Sequence, residues 1–239
     1  MASNITIIIP AYNESDNIKN LIKKIRQNVK SQIIVVDDSN DNLTKNILKK
    51  IKTNIIYIKR NKKLGRGSAV LEGLKNALKK KEVEIFIEMD ADLSHPPSEL
   101  RRNIKFFNDK NLDLLIGSRY LERSQIINWP VSRRIFSKLA NYLARFLLKI
   151  PCSDYTNGYR IYSRRAAKKI VEKCGKIGDG FIILSEILLV LYKNNFKIGE
   201  IKTKFVNRSR GESSANLKLI IASLIGLVKI FLKRNSTYY

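Results

Sequence analysis

"IFIEMDADLSHPP", Ile85 to Pro97, is the stretch on which the reading of this chain turns. Ile85 to Met89 suit a buried strand, and the run stops at Asp90-Ala91-Asp92, two carboxylates one residue apart. Along extended backbone successive side chains alternate sides, so Asp90 and Asp92 point one way and Ala91 the other. Like charges so placed repel unless they share a cation. Hard oxygen donors with no Cys or second His nearby favour Mg²⁺ or Mn²⁺, held by one or two carboxylates together with substrate phosphates. A lone D-x-D is common in surface turns; the apolar run before this one and Pro96-Pro97 after it set it apart.

The same pattern repeats outward from that strand. Ile5 to Ile9, Ile33 to Val36, Ile55 to Ile58 and Leu112 to Ile116 read as short apolar strands. Between them Ile18, Leu21, Ile22, Ile25 and Val29 fall at helical spacing, as do segments 43–51 and 68–80. Strands alternating with helices predict βαβ units in a mostly parallel sheet with helices on both faces, which accounts for strands apolar at every residue. In such sheets ligands sit beyond the carboxyl ends of the strands. Glu14, the pair Asp37-Asp38, and Asp90 with Asp92 all fall there. Asp37-Asp38 suits either a ribose contact or an Asx turn leading into the next helix. Gly65-Arg66-Gly67-Ser68 lacks the spacing of a dinucleotide fingerprint or a P-loop and reads as a tight turn into a helix.

The second half is helix-rich, with segments 129–150, 166–174 and 184–193, followed by one strand over 198–206. Helix 129–150 gathers Ile135, Leu139, Leu143, Phe146, Leu147 and Ile150 on one face, with Arg133, Arg134, Lys138, Arg145 and Lys149 around it. The segment 217–233 is too interrupted by lysine to span a bilayer, which takes roughly 20 apolar residues. It is expected either to lie on a membrane or to pack on the domain. The division is therefore one domain over 1–216 and a basic amphipathic helix and tail over 217–239.

The 239 residues carry 46 Lys plus Arg against 21 Asp plus Glu, a net charge of +25, with 44% apolar content. That balance fits one folded domain with an anionic partner, although part of the lysine excess solvates helix faces such as 75–81. Nucleic acid is disfavoured, because no interleaved aromatic stacking motif or reading helix is present. Cys152 and Cys174 form no disulfide framework and no metal spacing, so a reducing, cytoplasmic setting is expected. No signal peptide is expected, since the chain enters its first strand at Ile5. His95, the one histidine, finds no nucleophile and is read as structural.

In order, "IIIPAYNES", "IIVVDDSNDN", "KLGRGSAVLEGLKNA", "EMDADLSHPP", "GSRY", "SDYTNGYRIY" and "FVNRSRGESS" resemble the family 2 glycosyltransferases, most nearly the dolichyl-phosphate and polyprenyl-phosphate mannose synthases. The resemblance runs from Ile5 to about Ser214. It implies the GT-A nucleotide-diphospho-sugar transferase fold and a nucleotide-sugar donor, with mannose from GDP-mannose first and a UDP-glucose-dependent sibling or a saccharide-acceptor enzyme as alternatives. It also implies residue roles. Pro10, Tyr12, Glu14, Val36 and Asp38 would hold the nucleotide, and Asp90, Ala91 and Asp92 the cation and diphosphate. Arg119 and Arg208 would contact phosphates, and Arg133, ahead of Ser137, would orient an acceptor phosphate; Asp92, Arg119 and Arg133 are the expected catalytic set. Gly211-Glu212-Ser213-Ser214 departs from the family's Gly-Glu-Ser-Lys, removing one basic contact to the donor.

The residues agree with a phosphate acceptor. A phosphate monoester, with a second pKa of about 6, is already anionic near neutral pH and attacks without a strong base; a sugar hydroxyl usually requires one. Asp154 is the one carboxylate arguable as such a base, and it reads first as holding the turn through Asn157-Gly158. The lipid acceptor and the basic amphipathic helices together imply peripheral contact with a membrane, with a small membrane-anchoring subunit as a further expected partner.

Overall fold

The apolar strands come together as the edge-to-edge core of one sheet. The computed structural model describes residues 4–51, 54–178, 180, 182–207 and 225–232. The first half runs β1 (Ile5–Ala11), α1 (Ser15–Asn28), β2 (Gln32–Asp37), α2 (Leu43–Lys49), β3 (Ile55–Lys59), α3 (Arg66–Ala77) and β4 (Ile85–Glu88). A 3₁₀ turn at Pro97–Glu99 opens α4 (Leu100–Asp109), then come β5 (Leu114–Ser118), β6 (Gln125–Ile127), α5 (Val131–Leu148), β7 (Arg160–Ser163), α6 (Arg164–Lys173), α7 (Ile182–Lys193), β8 (Ile198–Lys202) and β9 (Lys204–Val206).

Seven strands pair in the order β3-β2-β1-β4-β7-β5-β8. All neighbours are parallel except β7, which runs antiparallel between β4 and β5. The mostly parallel α/β sheet with helices on both faces is thus as expected. Strand alternation divides the core: Ile7, Ile9, Ile33, Val35 and Ile87 face α1 and α4, whereas Ile8, Ile34, Val36 and Phe86 face α3, α6 and α7. Each such side chain contributes about 1.5–3 kcal/mol by leaving water. Helix α3 lies close on β1 because residue 73 is glycine; a Cβ there would stand 2.4 Å from Ile8 Cγ2.

Three features differ from expectation. The segment 198–206 is not one strand: at the buried Thr203 it leaves the main sheet, and β9 pairs with β6 in a second, two-stranded sheet. Helix α4 and strand β7 have no counterpart in the reading above. Arg160 disguises β7, since a fully buried arginine breaks the apolar run while donating to the carbonyls of Asn157, Tyr155 and Leu184. Helix α5 turns Asn141, Ala144 and Leu148 inward, and Val131, Ile135, Leu139, Tyr142 and Phe146 outward. Residues 225–232 are helical, with Leu227 and Ile230 buried against the helical side of the core. The boundary placed at 216/217 lies outside the described residues, as do Arg208 and the Gly211–Ser214 departure. No helix among the described residues is long and apolar enough to cross a membrane.

Candidate active site

Parallel pairing sets the site at the carboxyl ends of neighbouring strands within the sheet. Pro10 pairs with Val36 and Ala11 with Asp37, and the Met89 amide donates to the Ile8 carbonyl, so the carboxyl ends of β2, β1 and β4 are neighbours. Tyr12, Glu14, Asp38, Asp90 and Asp92 follow directly from those ends. The structure therefore brings together the residues expected to hold nucleotide and cation. Tyr12 is exposed with Lys63 Nζ 3.8 Å from its ring centre, and the Glu14 carbonyl receives the first amides of α1.

Both Asp37 and Asp38 are taken up by partners within the fold. Asp37 is fully buried; it closes an Asx turn through the Ser39 amide at 2.9 Å and receives the Tyr57 hydroxyl at 2.8 Å. Burial and this carboxylate push the Tyr57 hydroxyl well above its ordinary value. Asp38 is also buried and is gripped by Arg60 through Nε and Nη2, while the amides of Leu64 and Gly65 donate to it at 3.0 and 3.1 Å. It thereby fixes the turn that starts α3 at Arg66, where Gly65 adopts φ 92°. Arg60 gave no signal in the sequence, because a lone arginine after a strand looks like a solvated charge.

β4 ends at Glu88 and Ala91 and Asp92 form a turn, so the extended alternation expected to put Asp90 and Asp92 on one side does not apply; the Asp90 carboxylate instead meets Arg66. Arg66 donates to Asp90 Oδ1 at 2.8 Å from Nε and to Glu88 Oε1 at 2.5 Å from Nη1, and Tyr162 donates to Glu88 Oε2 at 2.6 Å. Burial alone would lower the Arg66 guanidinium; Asp90 and Glu88 more than offset it and hold it charged. Asp92 Oδ1 receives the Ser94 amide at 3.0 Å around Leu93, which sits at φ 63°. A branched side chain in that left-handed conformation costs roughly 1–2 kcal/mol, so the turn that presents Asp92 is held by its surroundings.

His95 is structural, as expected. It is buried, stacked at 5.2 Å on Tyr159, and its Nδ1 accepts the Asp90 amide at 3.1 Å. The proton then lies on Nε2, 2.9 Å from Asn157 Oδ1, and Asn157 Nδ2 in turn donates to the Gly117 carbonyl. A histidine thus ties the backbone of Asp90 to the 153–158 loop.

Arg119 follows β5 and is buried. It forms a two-pronged pair with Asp154, 2.7 Å at each oxygen, and reaches Thr156 Oγ1 at 2.6 Å. Asp154 also accepts the amides of Thr156 and Asn157, which is the turn-holding role read for it. Burial raises the Asp154 carboxyl, and Arg119 more than reverses this, keeping it below the usual carboxylate range. Arg133 lies 4.2 Å from the centre of the Trp129 ring, and Arg119 faces the same ring at 5.4 Å. Two of the three expected phosphate-binding arginines, Arg119 and Arg133, therefore converge on one tryptophan. Nearby Ser137 receives the Tyr120 hydroxyl at 2.6 Å. Burial pushes the thiols of Cys152 and Cys174 up, consistent with two inert core residues.

By donor chemistry Asp90 and Asp92 suit a divalent cation of the oxygen-preferring kind, which would need phosphate oxygens to complete its shell. Among the described residues no group of three or more His, Cys, Asp or Glu side chains is placed to enclose a metal without them. Next to the arginines a cavity of about 690 Å³ runs along α5, with Arg134, Lys138 and Arg145 beside Leu121, Ile126 and Ile135.

A family model described as Glycosyl transferase family 2 matches residues 6–171. The chain is 32% identical over 212 residues to a polyprenol monophosphomannose synthase of Mycolicibacterium smegmatis, covering 87% of this chain and 79% of that protein. It is 35% identical over 228 residues, 92% of its length, to a dolichol-phosphate mannosyltransferase of Pyrococcus furiosus, of which it spans 61%. Two structures of Mycobacterium tuberculosis glucosyl-3-phosphoglycerate synthase, one in complex with Mn²⁺, UDP and glucosyl-3-phosphoglycerate, superpose with TM-scores of 0.67 and 0.68. They cover 96% of this chain and 80% and 79% of theirs at 18% and 17% identity, and the shared fold is GT-A.

Proposed function

The chain belongs to glycosyl transferase family 2 and is a glycosyltransferase; from that premise we propose that it moves mannose from GDP-mannose, with inversion, onto the phosphate of a polyprenyl or dolichyl lipid at a membrane surface. The observation that carries this reading is the outward apolar face of α5 beside a cavity that mixes arginine and lysine with aliphatic side chains. Such a lining suits a molecule with an anionic head and a hydrocarbon tail, and relatives named for polyprenol and dolichol phosphate support it.

In this reading Pro10, Tyr12, Glu14, Val36 and Asp38 line the nucleotide, with Asp38 acting through the 64–65 turn it holds. Asp90 and Asp92, with the Ala91 backbone beside them, would hold Mg²⁺ or Mn²⁺, whose chemistry there would be neutralisation of the charge on a departing diphosphate. Arg119 and Arg133, converging on Trp129, orient phosphate, with Arg208 as a further contact. The acceptor is already anionic, so Asp154 remains bound to Arg119 and takes no proton. Basic side chains around α5 meet anionic headgroups, each worth about 1 kcal/mol near such a surface, and the enzyme works peripherally on the cytoplasmic face, with or without a small anchoring subunit.

The test is transfer of radiolabel from GDP-mannose to polyprenyl phosphate with Mg²⁺ or Mn²⁺, with chelator and the Asp92→Asn variant as controls. Label extracted into organic solvent, lost in both controls, is the expected result. Label arising from UDP-glucose instead would transfer the reading to the sibling donor, and a water-soluble product would overturn the lipid acceptor.

A further inference from the structure

Arg66 occupies an unusual place for a cation. It lies against one of the two carboxylates that, on the reading above, receive a divalent metal. Its Nε and Nη2 stand 2.8 and 2.7 Å from the same oxygen, Asp90 Oδ1, and its Nη1 reaches Glu88. Glu88 is fully buried and bonded on its other oxygen to Tyr162, so the pair cannot be relaxed by moving Glu88 into water. The opposite wall is backbone: Arg66 Nη2 lies 3.4 Å from the Gly158 carbonyl, and a Cβ at residue 158 would come within 1.8 Å of Nη2. The guanidinium therefore has a seat shaped for it by two distant parts of the chain, the end of β4 and the segment 158–162. Asp90 Oδ2 is turned the other way, toward the side of His95, 3.8 Å from Nε2.

A fixed positive charge at that distance has a predictable consequence. It repels a divalent cation approaching Asp90 and Asp92, and in a partly dry site one unit charge a few ångströms away alters cation affinity by roughly tenfold or more. A nucleoside diphosphate reverses the balance, since its oxygens both complete the cation's shell and bring negative charge. We propose that Arg66 is a positioning residue that orients Asp90 and prevents the Asp90-Asp92 pair from holding a divalent cation alone, so that the cation enters and leaves with the nucleoside diphosphate. This rests on the metal role assigned above to Asp90 and Asp92.

Mn²⁺ binding, followed by electron paramagnetic resonance of the free ion, tests it without relying on turnover. Wild type, Arg66→Leu, the double variant Arg66→Leu/Glu88→Gln, and Asp92→Asn are titrated alone and with GDP or UDP. Wild type is expected to hold Mn²⁺ weakly alone and firmly with a diphosphate. Arg66→Leu is expected to bind Mn²⁺ alone roughly tenfold or more tightly than wild type, with the double variant between the two. The double variant leaves no buried carboxylate without its arginine, so it decides the matter where the single variant fails to fold. Unchanged Mn²⁺ affinity in the double variant, or a wild type indifferent to diphosphate, overturns the inference. In that event loss of Mn²⁺ from Asp92→Asn leaves the metal site itself standing, whereas an Asp92→Asn protein that still takes Mn²⁺ brings down both.

Discussion

Helices α1 and α5 share a composition and lie in opposite senses. Both alternate lysine or arginine with aliphatic residues at helical spacing. In α1 the aliphatic side chains Ile18, Leu21, Ile22 and Ile25 are fully covered by the sheet, and the lysines face water. In α5 most of the large apolar residues face out, with Leu139 60% and Phe146 66% exposed, and the buried positions are Asn141, Ala144 and Leu148. The inward side of α5 is short: Asn141 receives the Tyr155 amide at 2.7 Å, tying the helix to the 153–158 loop, and of its buried residues only Ala144 and Leu148 join the core. Helical periodicity reveals that an apolar face exists; the neighbour decides where it points.

The largest effect tests the polar support beneath α5. Asp154→Asn leaves Arg119 buried with no carboxylate, and a loss of about 3–5 kcal/mol in denaturant unfolding is expected. The folded carboxyl titrates below its unfolded value near 4, so in wild type the pair's contribution is whole above that pH and fades as pH falls through the folded value. The variant should lack this component of acid sensitivity. An unchanged acid profile would mean that α5 does not depend on the pair.

Next comes the inward helix. Leu21→Ala should cost about 2–5 kcal/mol in the same unfolding experiment and leave binding to anionic vesicles unaltered in the folded fraction. The smallest change in stability belongs to the outward helix: Leu139→Ala should stay within about 0.5 kcal/mol. Its effect appears in vesicle cosedimentation instead, where removing most of a buried leucine, worth about 1.5–3 kcal/mol, should weaken partition roughly tenfold or more. Equal destabilisation by the two alanines would erase the contrast and indicate that the α5 face is covered in the folded protein.

Much of the architecture was legible in the chain. Strands β1 to β5, the helices between the first four, and the acids at their ends could be read because each signal is local: two-residue alternation or a continuous apolar run, then a carboxylate. The D-x-D, the turn at Gly65 and the structural role of His95 were equally accessible. Helix α4 escaped because Arg101, Arg102 and Asn103 interrupt its apolar positions, and β7 because Arg160 does. Arg60 and Arg66 escaped because an arginine bound to a buried carboxylate has the same letter as one in solvent.

What remained hidden depends on pairs far apart in the chain. Local hydrophobic order sets the βα alternation and, through parallel pairing, places Asp38, Asp90 and Asp92 after the carboxyl ends of neighbouring strands. The insertion of β7 in the reverse direction carries the 153–158 loop to those ends. There the loop joins His95 across 62 positions, Arg119 across 35 and Arg66 across 92. Those contacts are made by buried charges and amides whose partners are chosen by geometry, since burying a charge or an amide is costly unless it is paired. A linear pattern records which residues are polar; which polar group each one meets is fixed when the sheet closes around them.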